Sequence, residues 1–341
     1  MTVFKKIIQI SVLLFLVACA PDRKPNPRVV TTQVIGDADE CAFWINDNDP
    51  INSVLIGNDK SEDGALYVWD LEGQLIFKTD TINRPVGVDV RYKMQLNDRE
   101  VDIVICGVRS SNELKVFEID PRSRKLLDIT TDSKIFTKFS KNTYGVTLYK
   151  RKKDGEIFAF VSSKKKDDVH QIHLRDDGKG KVKGILVRSF GKTDQKSFVE
   201  GMVVDDELGF LYCSDEQAGI LKYLANPKLK DNALLARFAK DDGIKGDREG
   251  LGLYKSNFQS GYLILSSQGN SEFKIYKREG NNAFLKTVKP KGVEHTDGLA
   301  VSSQSISPNF MKGIIACHNG GGKNFVFYDW QEFFDSANDK K

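Results

Sequence analysis

The residues of this chain that could do chemistry recur at a spacing. In DREGLGLY, Asp247 to Tyr254, a carboxylate stands against a glycine, after which apolar and small side chains alternate. An acid is a poor opening for a buried strand, so its presence there asks for a reason. The same shape returns in PVGVDVRY from Pro85, TYGVTLY from Thr143, VEGMVVD from Val199 and TDGLAVS from Thr296. DECAFWI, from Asp39, has it too, with Cys41 where the others have glycine. The residues before the glycine or cysteine are Glu40, Val86, Tyr144, Glu200, Glu249 and Asp297, spaced 46 to 58 residues apart. Four of these six are carboxylates. Taken singly, each acid could equally be solvated or paired with an arginine. Four in register, brought together, would repel one another and raise each other's pKa, and a bound cation removes that cost. Calcium accepts six to eight oxygen ligands in flexible geometry. Asp39 and Asp247, beside or near members of the set, add ligands.

Such a set converges only if the repeat builds a ring. Each acidic segment is followed by a short apolar run that breaks into a polar turn: SVLIGND, DIVICGV, FAFVSSK, FLYCSDE, YLILSSQ and GIIACHN. A third segment follows, as in ALYVWDLEGQLI or FKIYKREGNNAFLKTV, and reads as a hairpin with a turn rich in Gly, Asp, Asn or Pro. Each repeat thus supplies about four strands, one propeller blade. The fold class is all-β, a six-bladed β-propeller with four-stranded antiparallel blades around a central channel. The last repeat lacks a fourth strand, and RVVTTQVIG near Arg28 is placed to supply it and close the ring. Alternation of period two and the near absence of amphipathic helical stretches exclude helical repeats.

The turn after each second strand makes another ring, and its charges are segregated. Lys60, Arg109 and Lys164 fall in blades one to three, Asp215 and Glu216 in blade four, Gln268 and Asn319 in blades five and six. A phosphate ester suits a basic half facing an acidic half, because Lys and Arg hold phosphate oxygens while cations on the acidic side activate water.

The first residues stand apart from the repeat. Lys5 and Lys6 precede the apolar run IIQISVLLFLVA, which ends at Cys19, the pattern of a signal peptide. LVAC, Leu16 to Cys19, resembles a bacterial lipobox, in which the cysteine is lipidated and becomes the mature N-terminus; an ordinary signal peptide with a chance cysteine is the other reading. The expected organisation is a lipoprotein signal over 1–19, a tether and closing strand over 20–36, the propeller over 37–335 and a polar tail over 336–341. This implies an exported bacterial lipoprotein of the cell envelope, at the outer membrane or cell surface, meeting the membrane only through its lipid. Cys41, Cys106, Cys213 and Cys317 form no CxxC pair and read as buried free thiols. His170 and His173 read as surface residues of a strand and not as zinc ligands. The net charge of +4 is mild. Basic residues form no stripe interleaved with exposed aromatics, so nucleic-acid binding is not supported.

These residues are also where the chain resembles the β-propeller phytases, calcium-dependent alkaline phytases of bacteria. SSQGNSEFKIYKREG (Ser266 to Gly280), VEGMVVDDELGFLY, DREGL, TYGVTLY, DLEG and VDVRY carry the resemblance, which spans nearly the whole mature chain. It implies a six-bladed propeller holding several calcium ions at the channel mouth and hydrolysing phosphate monoesters of phytate by a metal-activated water, without a phosphoenzyme. By position, Glu200, Glu216, Asp247, Glu249 and Asp297 resemble calcium ligands around the cleavage site, with Asp39 and Glu40 nearby. Glu200, Glu249 and Asp297 are the expected catalytic set, and Lys60, Arg109, Tyr144 and Lys164 resemble the groups that hold substrate phosphates. The chain departs from the family at Glu40-Cys41, usually Asp-Pro, and at Val86-Gly87-Val88-Asp89, usually Asn-Asn-Val-Asp. The loop before Asp297 is short, with Glu294 standing near an expected aspartate.

The expected function is a calcium-dependent phosphomonoesterase acting as a monomer on phytate or a related anionic phosphate ester. Two alternatives come from other classes. One is a lipid-anchored, calcium-binding propeller that binds without turnover, which fold alone does not exclude. The other is a calcium propeller lactonase, which leaves the three basic groups unexplained.

Overall fold

The repeat pattern meets its structure in a computed structural model, which describes residues 24–138, 142–164, 166–191, 197–229 and 232–336. Cys19 and the signal segment lie outside the described residues, as does the tail from 337. Six antiparallel sheets follow one another along the chain, each meandering outward from an inner strand. The inner strands are Ala38–Trp44, Pro85–Leu96, Thr143–Lys150, Val199–Asp205, Arg248–Lys255 and Leu299–Ser302. Each blade packs against the next through an apolar core of its own. Ile56 and Val68 of blade one meet Val90 and Val104 of blade two, for example, while Phe43 and Leu55 meet Ala316 and Phe327 of blade six.

That arrangement buries both faces of the middle strands, and Val54–Asp59 and Ile157–Ser163 are buried at every position. It also corrects one expectation. His170 is not on the surface but only 6% exposed, and His173 stacks on Phe158 with ring centroids 4.6 Å apart. Alternation along a blade strand sends side chains into two interblade cores, not to one core and one solvent face. Cys41, Cys106, Cys213 and Cys317 are free and buried, as their apolar settings suggested.

The ring closes as the N-terminal segment implied. Val29–Val30 pairs antiparallel with Asn324–Asp329, Val29 opposite Phe327 and Val30 opposite Val326, and supplies the outer strand of the last blade. After that blade a short helix, Trp330–Asp335, is capped by the Asp329 side chain, which accepts from the Glu332 amide at 2.9 Å. Its Trp330 and Phe333 seal the core between blades five and six. The outer edge of blade two differs from a plain four-strand count. It is shared by two short strands, Leu126–Asp128 and Ile135–Phe136, both paired with Glu113–Ile119. No helix among the described residues is long and apolar enough to cross a membrane.

Candidate active site

The glycine beside each acid has a steric cause. Pairing slips within five of the inner strands, at 38–41, 86–88, 143–146, 199–202 and 248–251, so the motif residues sit in bulges. A bulge re-aims its side chains and frees them from the ladder. There the inner strands of neighbouring blades almost touch. A methyl group at Gly145 would lie 2.0 Å from the carbonyl oxygen of Glu200, and one at Gly201 would lie 2.2 Å from that of Glu249. At Gly250 it would meet the Asp297 carbonyl at 2.8 Å, and at Gly298 the Asp39 carbonyl at 2.5 Å. Only glycine allows the approach. Each glycine therefore abuts the backbone of the next blade's acid, and the acids are drawn into one arc.

Side chains of the second strands fix the arc from behind. Asn58 donates to the Pro85 carbonyl at 2.6 Å, Ser162 to that of Val199 at 2.6 Å, Ser214 to that of Arg248 at 2.8 Å and Ser266 to that of Thr296 at 2.8 Å. In blade six the matching residue is His318, whose Nδ1 accepts from the Asp297 amide at 2.9 Å. Burial holds this imidazole's pKa below its usual value, in keeping with an accepting nitrogen.

Within the arc the carboxylates are buried and crowded. Glu249 is 3% exposed and Asp39 2%. Burial first, and then the charge of Glu200, pushes Glu249 up to about 12, so it keeps its proton. Burial also lifts Glu200 to about 7, and the two carboxyls share a hydrogen bond. Glu40 is raised well above the usual range, first by burial and then by Asp39. Glu216 is raised by burial as well. Asp39 goes the other way. Burial alone would raise it, but the charge and hydrogen bond of Lys60 outweigh burial and hold it low. Glu249 Oε2 is buried with no partner. An unpartnered buried carboxyl oxygen among crowded acids is a donor atom that a cation could use. Asp297 accepts from Gln268 Nε2 at 2.6 Å, and Asp247 accepts from Gln217 Nε2.

The basic residues split into two groups. Arg109 and Lys164 flank the ring of Tyr144, with cationic centres 5.3 Å and 4.5 Å from its centroid. The Tyr144 hydroxyl accepts from Lys164 Nζ at 3.0 Å and donates toward Glu200 and, at 2.9 Å, Glu216. Burial and then Glu200 push this phenol far above its usual pKa, so it stays a donor. Lys60 stands apart. Its Nζ lies 2.8 Å from Asp39 Oδ1, 3.5 Å from Asp297 Oδ2 and 3.8 Å from Asp37 Oδ2. The two halves of the mouth are therefore interleaved, with Lys60 seated among the acids.

The structure brings Asp39, Glu40, Lys60, Arg109, Tyr144, Lys164, Glu200, Glu216, Asp247, Glu249 and Asp297 to one end of the channel. Four of them, Asp39, Glu40, Tyr144 and Glu200, line the channel cavity of 330 Å³. Among the described residues no three His, Cys, Asp or Glu side chains already converge in ligand geometry. The acids are turned to protein donors, and a cation would have to draw them off Lys60, Gln268 and Tyr144. Sequence reading missed Asp37, Gln217 and the clip role of His318. The last was available from aligning His318 with Ser162, Ser214 and Ser266. Asp89 belongs elsewhere: its Oδ2 accepts from the Thr147 hydroxyl at 2.7 Å and the Leu148 amide at 2.8 Å, tying blade two to blade three. Cys41 adjoins the arc, but burial, then the Glu40 charge, pushes its thiol well up and leaves it no nucleophile.

Comparison with known proteins agrees with this geometry. The sequence profile of the family described as Phytase matches residues 24–337. A 3-phytase of Bacillus subtilis (strain 168) is 32% identical over 311 residues, which cover 86% of this chain and 80% of that protein. Among solved structures, the β-propeller domain of Cps50 (Swd1) from Myceliophteria thermophila aligns over 88% of this chain and 99% of that one. Its TM-score is 0.49 at 10% identity, too loose an overlap to speak to the site. With a matching profile over the whole propeller and a relative at this identity, the chain belongs to the phytase family.

Proposed function

We propose that this protein hydrolyses phosphate monoesters of phytate, or of a related multiply phosphorylated compound, with calcium held by the acidic arc. The observation that carries the reading is one assembly: the half-buried carboxyl of Glu200 and the buried one of Glu249, with an unpartnered Glu249 oxygen, stand beside Tyr144 and its flanking Arg109 and Lys164. Asp39, Glu40, Glu200, Glu216, Asp247, Glu249 and Asp297 would hold the cations. When bound, calcium withdraws charge from the phosphate and makes an attacking water more acidic. The rest falls to the protein. Arg109 offers a planar fork for two phosphate oxygens, and its Nε is without a partner. Lys164 offers a point charge, and Tyr144 a phenol whose proton does not leave near neutral pH. Lys60 neutralises Asp39 and Asp297, and a bound cation would supply the same charge and free its ammonium for a substrate phosphate. Burial lifts Glu200 to about 7 in the cation-free site, and a bound cation would hold it ionised. We place the protein outside the cytoplasm, tethered through a lipid on Cys19, on the strength of the lipobox-like LVAC.

The test is phosphate release from phytate, with calcium and with chelator, alongside Glu249→Ala. Release that needs calcium and vanishes in the variant supports the reading. A folded protein that binds calcium and releases no phosphate overturns it in favour of a binding propeller.

A further inference from the structure

Lys24, the first described residue, and Ser336, the last, line the same pocket on the outer edge of blade five, a cavity of 660 Å³. Five lysines and two acids line it. The acids are engaged from within. Glu272 accepts from Lys274 Nζ at 2.9 Å, a lysine whose side chain is only 2% exposed, and Asp242 accepts from the Tyr276 hydroxyl at 2.9 Å. Lys24, Lys245 and Lys289 are exposed around them, Lys289 with its Nζ 3.9 Å from Glu272 Oε1. On the same edge Phe284 and Leu285 are exposed at 40% and 37%. Lysines around exposed apolar side chains are the composition of a surface that meets lipid headgroups.

The entering chain is pinned to this edge. Pro25 O accepts from the Lys291 amide at 3.0 Å, Asn26 Oδ1 accepts from Lys291 Nζ at 2.9 Å, and Arg28 pairs with Glu332 at 2.9 Å. Lys24 lies five positions beyond Cys19, with four residues between them. Fully extended this stretch spans at most ~17 Å, about twice the Debye length at physiological salt. A lipid on Cys19 would hold this edge and the adjoining helix Trp330–Asp335 next to the bilayer.

We propose that the lysine-rich outer edge of blade five is a docking surface for an anionic lipid leaflet, so that the protein lies against the membrane and does not hang from its anchor. The proposal rests on the anchored reading of Cys19 for its geometry, yet the surface can be tested without the lipid. A lysine at an anionic surface contributes about fivefold in partition. The exported chain carrying Cys19→Ser is mixed with vesicles of phosphatidylcholine containing phosphatidylglycerol, or of phosphatidylcholine alone, and sedimented. Binding is expected only to the anionic vesicles, and it should fade as salt is raised. Lys24→Glu with Lys289→Glu should lower it roughly 25-fold or more, with unchanged melting temperature and unchanged phosphate release from soluble phytate. Failure to bind anionic vesicles, equal binding to neutral ones, or undiminished binding by the double variant overturns the proposal. Incorporation of labelled palmitate, lost in Cys19→Ser, tests the anchor separately, so a lipidated protein with no surface affinity sinks this inference and leaves the anchor standing.

Discussion

Lys60→Met tests whether this lysine serves as a resident counter-ion for the acidic arc. Its ammonium group touches Asp39 at 2.8 Å and Asp297 at 3.5 Å. At an effective dielectric of about 20 each contact is worth ~5 kcal/mol gross, most of it offset by desolvation. Removing one partner of a buried pair costs about 3–5 kcal/mol. The Lys60 side chain is 27% exposed, so screening brings the loss to ~2–3 kcal/mol. In a propeller of this size that is about 5 °C of melting temperature. The loss belongs to the calcium-free protein, because a bound cation supplies the same charge. In chelator the variant should therefore melt about 5 °C lower than the parent, and in saturating calcium the gap should shrink to less than half. Linkage then requires tighter calcium binding in the variant, by about 10-fold if calcium offsets half of the loss and roughly 30- to 150-fold if it offsets all of it. Scanning calorimetry and titration calorimetry on the same samples measure both effects without reference to turnover. Equal destabilisation with and without calcium, together with unchanged affinity, would refute the counter-ion role and leave Lys60 a local structural pair.

Two further outcomes follow from the same geometry. Glu200 is raised to about 7 and Glu249 further, so the folded protein holds protons that the unfolded chain has released. Calcium-free stability is then full below the ordinary glutamate range and falls as pH rises through about 7. Calcium binding strengthens over the same interval, and melting curves against pH with and without chelator should diverge upward. Gly201→Ala places a methyl group 2.2 Å from the Glu249 carbonyl and should cost about 3 kcal/mol while disordering the arc. Gly178→Ala is the comparison. Its methyl meets nothing within 4 Å, and it carries only the strain of φ +87, about 1 kcal/mol. Equal losses by denaturant unfolding would refute the packing argument.

The arc was legible in the sequence because it is written once per repeat. Six segments in register fix the blade count, the inner strand and the place of each acid. What the repeat does not encode is where a long side chain rests. Lys60 occupies the same turn position as Arg109 and Lys164, yet it reaches back among Asp37, Asp39 and Asp297 while they flank Tyr144. That choice depends on which neighbour presents an acid, and blade six lies beside blade one only after the ring closes. The reading of His170 failed for a related reason: alternation marks two faces but not what covers each. The clips from Asn58, Ser162, Ser214 and Ser266 were visible as a column of small polar residues before the polar turn. Their purpose shows only when the next blade's carbonyl is in place.

The pairing of Val29 and Val30 with Phe327 and Val326 bears on how the molecule is made. A chain emerges from the ribosome N-terminus first, so this two-residue strand exists long before its partner does. It cannot hold itself, since an unpaired strand of two residues buries almost nothing. Until the stretch Asn324–Asp329 appears, the last blade lacks the strand on which Val29 and Val30 pair, and the clasp between the two ends of the chain cannot form. The ring is thus unlocked through nearly the whole of synthesis and locks at its end. The step that makes the molecule rigid therefore waits for the last part of the chain to arrive.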